Sequence, residues 1–237
     1  MPEGIAVRPL ASLDDARAAS ALFDRIWGER RVMGAPLLRA MASHGGQVLG
    51  AFDGEELVGA QAGLVGIVDG RSVLHSHITG VAEEAQGRGV GFLLKVAQRE
   101  WCLEHGIERV TWTFDPMIAR NAHFNLVKLG AVADRFHRDY YGEMADAFNA
   151  GERSDRLEVV WELRAERVGR ALRGETGPPT GGTAIEIPAD YHALRSEDPD
   201  AARTWRDRVA DEFAKAFADG LRAVSFDPTS GYLLERS

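Results

Sequence analysis

Cysteine is almost missing from this chain: its 237 residues include one, Cys102. A single thiol in a helical pattern builds neither a disulfide framework nor a thiolate metal site, so its plain role is a packed core thiol and its natural compartment is a reducing cytoplasm. Long apolar runs are missing too. The most apolar stretch, Leu57–Val68, is broken by Gln61 and three glycines and falls far short of the roughly 18 residues a membrane span requires. Met1–Leu10 has neither the basic flank nor the apolar core of a signal peptide, so export is not expected. Excess positive charge is absent. The formal net charge of −8 argues against nucleic acid and acidic membranes as partners and mildly favours cationic small substrates. No His/Cys/Asp cluster has metal-ligand spacing, so no metal is expected. No internal repeat is visible.

What is present is a globular composition, 45% hydrophobic and 27% charged, in a chain long enough for one good core plus an appendage. Ile5, Val7 and Leu10 read as a first strand. Ser12 caps a helix that ends near Gly28, and Pro36 sits in the first turn of a second helix that runs to about Ser43. Three strands follow, Gln47–Phe52, Leu57–Val68 and Ser72–Val81, joined by the hairpin signals Asp53-Gly54 and Asp69-Gly70. The helix Val90–His105, a strand Arg109–Phe114, a helix Ile118–Leu129 and two strands, Ala131–Asp139 and Leu157–Leu163, complete an α/β order. A helix crosses over from Ser72–Val81 to Arg109–Phe114, which predicts those strands to be parallel. The expected fold is a mixed, mostly antiparallel central sheet flanked by helices.

We assign residues 1–163 to the main domain and 164–183 to a helix with a Gly/Pro linker. Residues 184–237 form a small β-α-β-β extension built around the stripe Trp205, Val209, Phe213 and Phe217. Such a piece is small for an independent fold, so it should dock on the main domain or on a partner subunit; a homodimer and a monomer are both consistent with it.

The stretch Gln86-Gly87-Arg88-Gly89-Val90-Gly91 stands between a strand and a helix. Its glycines allow a sharp turn and close approach of backbone N–H groups to a ligand. The helix start adds free donors and partial positive charge, so the stretch is an anion cradle. Downstream come Arg120-Asn121-Ala122 and Lys128-Leu129-Gly130-Ala131.

The spacing Gln86-x-x-Gly89-x-Gly91 in this element order, followed by those two motifs, resembles the GCN5-related N-acetyltransferase (GNAT) superfamily over roughly residues 4–163. The resemblance implies acetyl-CoA or another acyl-CoA as co-substrate. Its pyrophosphate would lie on Gln86, Gly87, Arg88, Gly89, Val90 and Gly91, and its pantetheine arm would run along Thr79–Val81, including Thr79 and Val81 themselves. Asn121 would meet the pantetheine or acyl region. The implied reaction is direct attack of a neutral amine on the thioester, without a covalent enzyme intermediate. The family's usual general acid, a tyrosine, is replaced here by Leu126.

A protonated amine cannot attack, so the site needs a base. His75 and His77 alternate on one strand and suit that task. Their pattern is similar to the paired strand histidines of arylalkylamine N-acetyltransferases, with satisfied structural histidines as the alternative. Tyr140 or Tyr141 is a replacement acid or a packing residue. Asp115 beside Pro116 binds a cationic substrate or shapes a turn. Asn125, one helical turn after Asn121, shares its polar duties; Trp27, Met33 and Pro36 line an acceptor pocket or serve the core. Glu83 and Glu84 are solvated. The leading reading is an N-acyltransferase for a primary amine of a small molecule. The alternatives are a noncatalytic CoA-binding regulatory module and a protein lysine or N-terminal acetyltransferase.

Overall fold

The computed structural model describes residues 4–28, 33–142, 152–175 and 182–236. They group into two compact units, one ending at Val110 and one built from Thr111 onward. The expected Gly/Pro linker falls largely on 176–181, outside the described residues.

The first unit is an antiparallel sheet in the order β1 (Ile5–Pro9), β2 (Gln47–Asp53), β3 (Glu56–Val68), β4 (Arg71–Val81). Helices α1 (Leu13–Trp27) and α2 (Ala35–Ser43) cover one face and α3 (Val90–Glu104) packs against all four strands. α1 begins with a reciprocal cap. The Asp15 N–H donates to Ser12 Oγ at 3.0 Å while the Ser12 N–H donates to Asp15 Oδ2 at 3.1 Å, which satisfies two otherwise orphaned donors. A hydrogen bond from Arg8 pulls the Asp15 pKa down to about 2. Ala19, Leu22 and Phe23 of α1 and Leu38 and Met41 of α2 join Val48, Ala60 and Ala62 of the sheet in one apolar cluster. On α3's side, Val90 and Leu94 meet Leu49, Ala51 and Val58.

Gly59 sets the spacing of that second layer. A Cβ there would lie 2.8 Å from Val90 Cγ1 and 3.3 Å from Leu94 Cδ1, so the bare strand lets the first turn of α3 settle directly on β3. β4 is irregular at one point. Ala62 of β3 opposes Ile78 and Gly63 opposes Ser76, which leaves His77 as the extra residue of a bulge. The β3–β4 hairpin also outruns β2, whose register stops at Gly63, and its far end exposes Leu64, Ile67 and Val68.

The second unit carries strands in the order β5 (Arg109–Phe114), β7 (Arg156–Glu162), β6 (Val132–His137), β9 (Leu221–Asp227), β10 (Gly231–Arg236), β8 (Thr183–Ile185). Three strands from residues 182–236 thus continue the sheet past β6, with Ala133 opposite Ala223. Helix α5 (Glu166–Leu172) precedes them. Helix α7 (Pro199–Ala218) buries Val209 and Phe213, the latter stacked on Phe136 of β6 with ring centroids 6.0 Å apart. Asp190 caps a further helix, α6 (Tyr191–Glu197), that the sequence pattern did not reveal.

The helix expected over Ile118–Leu129 is not regular. Only Ala119–Ala122 (α4) is α-helical, and His123–Lys128 winds as a π-helix, with the Leu129 N–H donating to the Phe124 carbonyl. Outside donors explain the change. Arg167 of α5 donates to the Leu126 carbonyl at 3.2 Å and to the Gly130 carbonyl at 3.0 Å, and the Trp161 indole donates to the Leu129 carbonyl at 2.7 Å. The Leu126 carbonyl, which a regular α-helix would offer to the Gly130 N–H, is therefore served from another element.

Gly59→Val should lift the first turn of α3 from β3. Because Val90 is branched and cannot swing aside, the expected cost is about 1–3 kcal/mol, read as a lowered midpoint in urea unfolding.

Candidate active site

In the first unit the glycine stretch forms the start of α3. Gly87 and Gly89 both have φ +77°, a left-handed conformation that strains any residue with a side chain. Gly89 is the N-cap of α3, with no side-chain cap and no acidic residue in the first turn. The N–H groups opening this 15-residue helix keep their donor capacity and their share of the helix dipole. Nothing lies within 4 Å of a Cβ placed at Gly87, and at Gly91 the nearest atom is Val81 Cγ2 at 3.8 Å. Internal packing therefore does not demand glycine at 91, and the bare backbone there leaves room for a ligand. The stretch fits a pyrophosphate. Arg88 is not idle: its guanidinium pairs with Asp53 at 2.7 Å. Both partners are substantially exposed, so this pairing is weak enough to yield to a stronger anion. Glu83 and Glu84 are exposed on a short 3-10 turn before the loop.

His75 and His77 lie beside one another on β4, with ring centroids 6.0 Å apart and planes tilted by 44°. His77 is exposed, yet the protein around it lowers its pKa from the ordinary value through desolvation. It is therefore neutral, and able to accept a proton, at pH 7. Trp27 lies over β4, since a Cβ at Gly80 would fall 2.9 Å from its Cζ3. Met33 is buried in the same apolar cluster. Pro36 opens α2.

In the second unit Asn121 is half-buried on α4. Asn125 serves the interior: it is 4% exposed, and its Oδ1 accepts from the Trp112 indole at 3.1 Å. Leu126 is fully buried and supplies no acid. Tyr140 is exposed, its ring 4.9 Å from His137 and 4.7 Å from Tyr141. Its pKa is raised by desolvation, then by Tyr141 and Glu158, which keeps its proton in place at neutral pH.

Asp115 is already engaged. One carboxylate oxygen accepts from the Met117 N–H at 2.9 Å, and the other accepts from Arg206 of α7 at 3.0 Å. The same guanidinium donates to Glu152 at 2.8 Å, and Glu152 also accepts from the Tyr191 hydroxyl at 2.8 Å. Burial pushes the Tyr191 pKa up to about 12, so it stays a donor. The Tyr232 hydroxyl donates to the Pro116 carbonyl at 2.7 Å. Asp115–Met117, the segment leading into α4, is thus fixed by α7 and β10. Sequence reasoning missed Arg206, although a charged residue beside the Trp205–Val209 stripe was a signal that a buried carboxylate waits opposite. Among the described residues no group of three metal-ligating side chains is assembled, and no helix is long and apolar enough to cross a membrane.

Residues 3–118 match the family model described as Acetyltransferase (GNAT) domain. These residues are a domain of the GNAT superfamily. Solved structures carry the same fold. An acetyltransferase of the GNAT family from Streptococcus pneumoniae superimposes with a TM-score of 0.54 at 16% identity, over 66% of this chain and 98% of that one. NAA60 from Arabidopsis thaliana, crystallised with a bisubstrate analogue, gives 0.51 at 17% identity over 66% and 97%. IAA acetyltransferase from Bacillus cereus ATCC 14579 gives 0.50 at 16% over 67% and 99%. No curated protein matches the sequence. At such identities the structural likenesses speak for the fold. The family match makes this GNAT protein an acetyltransferase.

Arg206→Ala would leave Asp115 and Glu152 buried without their cation. The expected loss is about 3–5 kcal/mol of unfolding free energy, measured by chemical denaturation.

Proposed function

We propose that this GNAT domain moves an acetyl group from acetyl-CoA to a primary amine of a small molecule. The observation that carries the reading is the pair of imidazoles at the β4 bulge, on the strand that leads into the uncapped start of α3. Bound acetyl-CoA supplies a thioester carbonyl open to nucleophilic attack. The N–H groups from Gly87 to Gly91 are suited to hold its pyrophosphate, the Gln86 N–H being already given to the Glu83 carbonyl at 3.1 Å, with Arg88 released from Asp53 to add a charge-assisted contact. Thr79 and Val81 offer strand backbone for the pantetheine arm. Asn121 offers an amide.

His77 takes the proton from the incoming ammonium, and His75 stands close enough to pass it onward through water. The lowered pKa of His77 keeps it in the basic form at pH 7, at the expense of proton affinity. Trp27, half-buried over β4, gives the acceptor side an apolar character, which favours an amine with a nonpolar portion. Asp115 is already satisfied by Arg206 and is a poor anchor for a second cation. The leaving thiolate is reprotonated by Tyr140 or directly by water, since thiols have pKa values near 8.5.

A noncatalytic CoA-binding module is the second reading. Leu126, fully buried where the family's acid usually stands, favours it. Incubation with acetyl-CoA and a library of amines separates the two readings, because release of free CoA that depends on one amine rejects the module.

Gly89→Val forces a side chain into a left-handed backbone at a strain of roughly 1–3 kcal/mol, so acetyl-CoA affinity should fall by about 5–100-fold in calorimetric titration. Unchanged affinity would reject the pyrophosphate assignment. His77→Ala should lower kcat by roughly 10²–10⁴-fold, with the acid limb of the pH–rate profile, which lies below the ordinary histidine value of about 6.5, lost in the variant.

A further inference from the structure

At the end of α3 away from the glycine stretch, the first unit holds two adjoining hollows. The inner one, of about 60 Å³, has Leu10, Gln47, Val48 and Trp101 in its wall. The outer one, of about 380 Å³, opens between Val65, Ser72, His105 and Ile107. Ala42, Gly46 and Trp101 line both. Trp101 lies eleven residues beyond Val90, roughly 16 Å along the helix axis, so the hollows are separate from the anion cradle.

Gln47 is 1% exposed, and its Oε1 accepts from Gln61 Nε2 at 3.1 Å and from Gln98 Nε2 at 2.9 Å. The direction of these bonds is set further along, where Lys95 Nζ donates to Gln98 Oε1 at 3.0 Å. Two donors converging on Oε1 make Nε2 the other end of the Gln47 amide, and that nitrogen has no hydrogen-bond partner among the described residues. A buried donor left unmet is costly, and the hollow beside it is where an acceptor can stand.

The side chains of the inner hollow carry no polar group besides the Gln47 amide and the Trp101 indole N–H. Both act as donors, since the Gln47 oxygen is already engaged. A water there would find donors to accept from but no side-chain acceptor for its own protons, whereas a carbonyl oxygen needs only to accept. Among the described residues neither wall includes Asp, Glu, Lys or Arg, so a charged guest would go uncompensated. The indole is held in place: the His105 ring stacks on it at 4.1 Å, and His105 Nδ1 lies 2.8 Å from the Trp101 carbonyl.

We propose that the two hollows form a second binding site, for an uncharged molecule that carries a carbonyl on a flat apolar body. The carbonyl enters the inner hollow and accepts from Gln47 Nε2. The body lies in the outer hollow against Trp101, Val65 and Ile107. The site is independent of the acetyl-transfer reading, because it shares no residue with the glycine stretch or with the histidine pair on β4.

The test is a titration of isotope-labelled full-length protein with acetophenone, followed by NMR at the Gln47 side-chain amide and the Trp101 indole N–H. Both resonances should shift and saturate with a Kd of about 1 mM, as suits so small a ligand. Toluene, which keeps the ring and lacks the acceptor, should bind at least about tenfold more weakly. Ala42→Leu fills the wall common to both hollows without touching the amide chain, and should abolish the shifts in a protein whose backbone spectrum stays folded. Resonances unmoved by acetophenone at about 10 mM, equal affinity for toluene, or shifts that persist in Ala42→Leu would overturn the proposal. Movement confined to the N–H groups from Gly87 to Gly91 would overturn it too, by placing the molecule at the cofactor stretch.

Discussion

The seating of α3 on β3 is the constraint from which the first unit's site follows. Val90 is driven inward by burial, Gly59 lets it approach, and Gly89 turns the chain through a left-handed residue so that the next backbone groups point outward. The same helix turn therefore has two faces with opposite duties: its side chain completes the core and its amides remain available for an anion. Neither duty is separable from the other, because the position of the free donors is fixed by how deeply Val90 sinks.

The second unit works by a different principle. Its segment Asp115 to Lys128 holds little regular structure of its own, with a four-residue helix and a π-helical turn. Its order comes from groups far away in sequence. Arg206 and Tyr232 fix the entry, Trp112 holds Asn125, and Arg167 and Trp161 take carbonyls at the exit. Residues after 163 are thus part of the machinery that shapes Asn121's surroundings, although they lie outside the stretch matched by the family model.

Elements with a local cause were legible in the sequence. Ser12, Gly28, the Asp53-Gly54 and Asp69-Gly70 turns and the apolar stripe of α7 announced themselves through capping, turn chemistry and periodicity. The glycine stretch was legible for the same reason. What escaped depended on partners distant along the chain. No periodicity distinguishes a regular helix over Ile118–Leu129 from one rewound by Arg167. Gln61 was visible as a polar break in an apolar run, but its meaning came only with Gln47, Gln98 and Lys95 beside it. Asp115 read as a substrate carboxylate or a turn former, and its ion pair was hidden because Arg206 stands so far downstream. The bulge at His77 was equally hidden, since alternation alone describes an unbroken strand.

The placement of β9 beside β6 has a consequence in time. During synthesis β6 leaves the ribosome long before residues 221–227 exist, and until they emerge its outer edge offers unpaired N–H and C=O groups to any passing strand. The half-made second unit is thus exposed to strand mispairing. Its maturation is paced by translation of the downstream residues and by slow, non-local strand pairing, whereas the first unit's meander closes with neighbours already at hand.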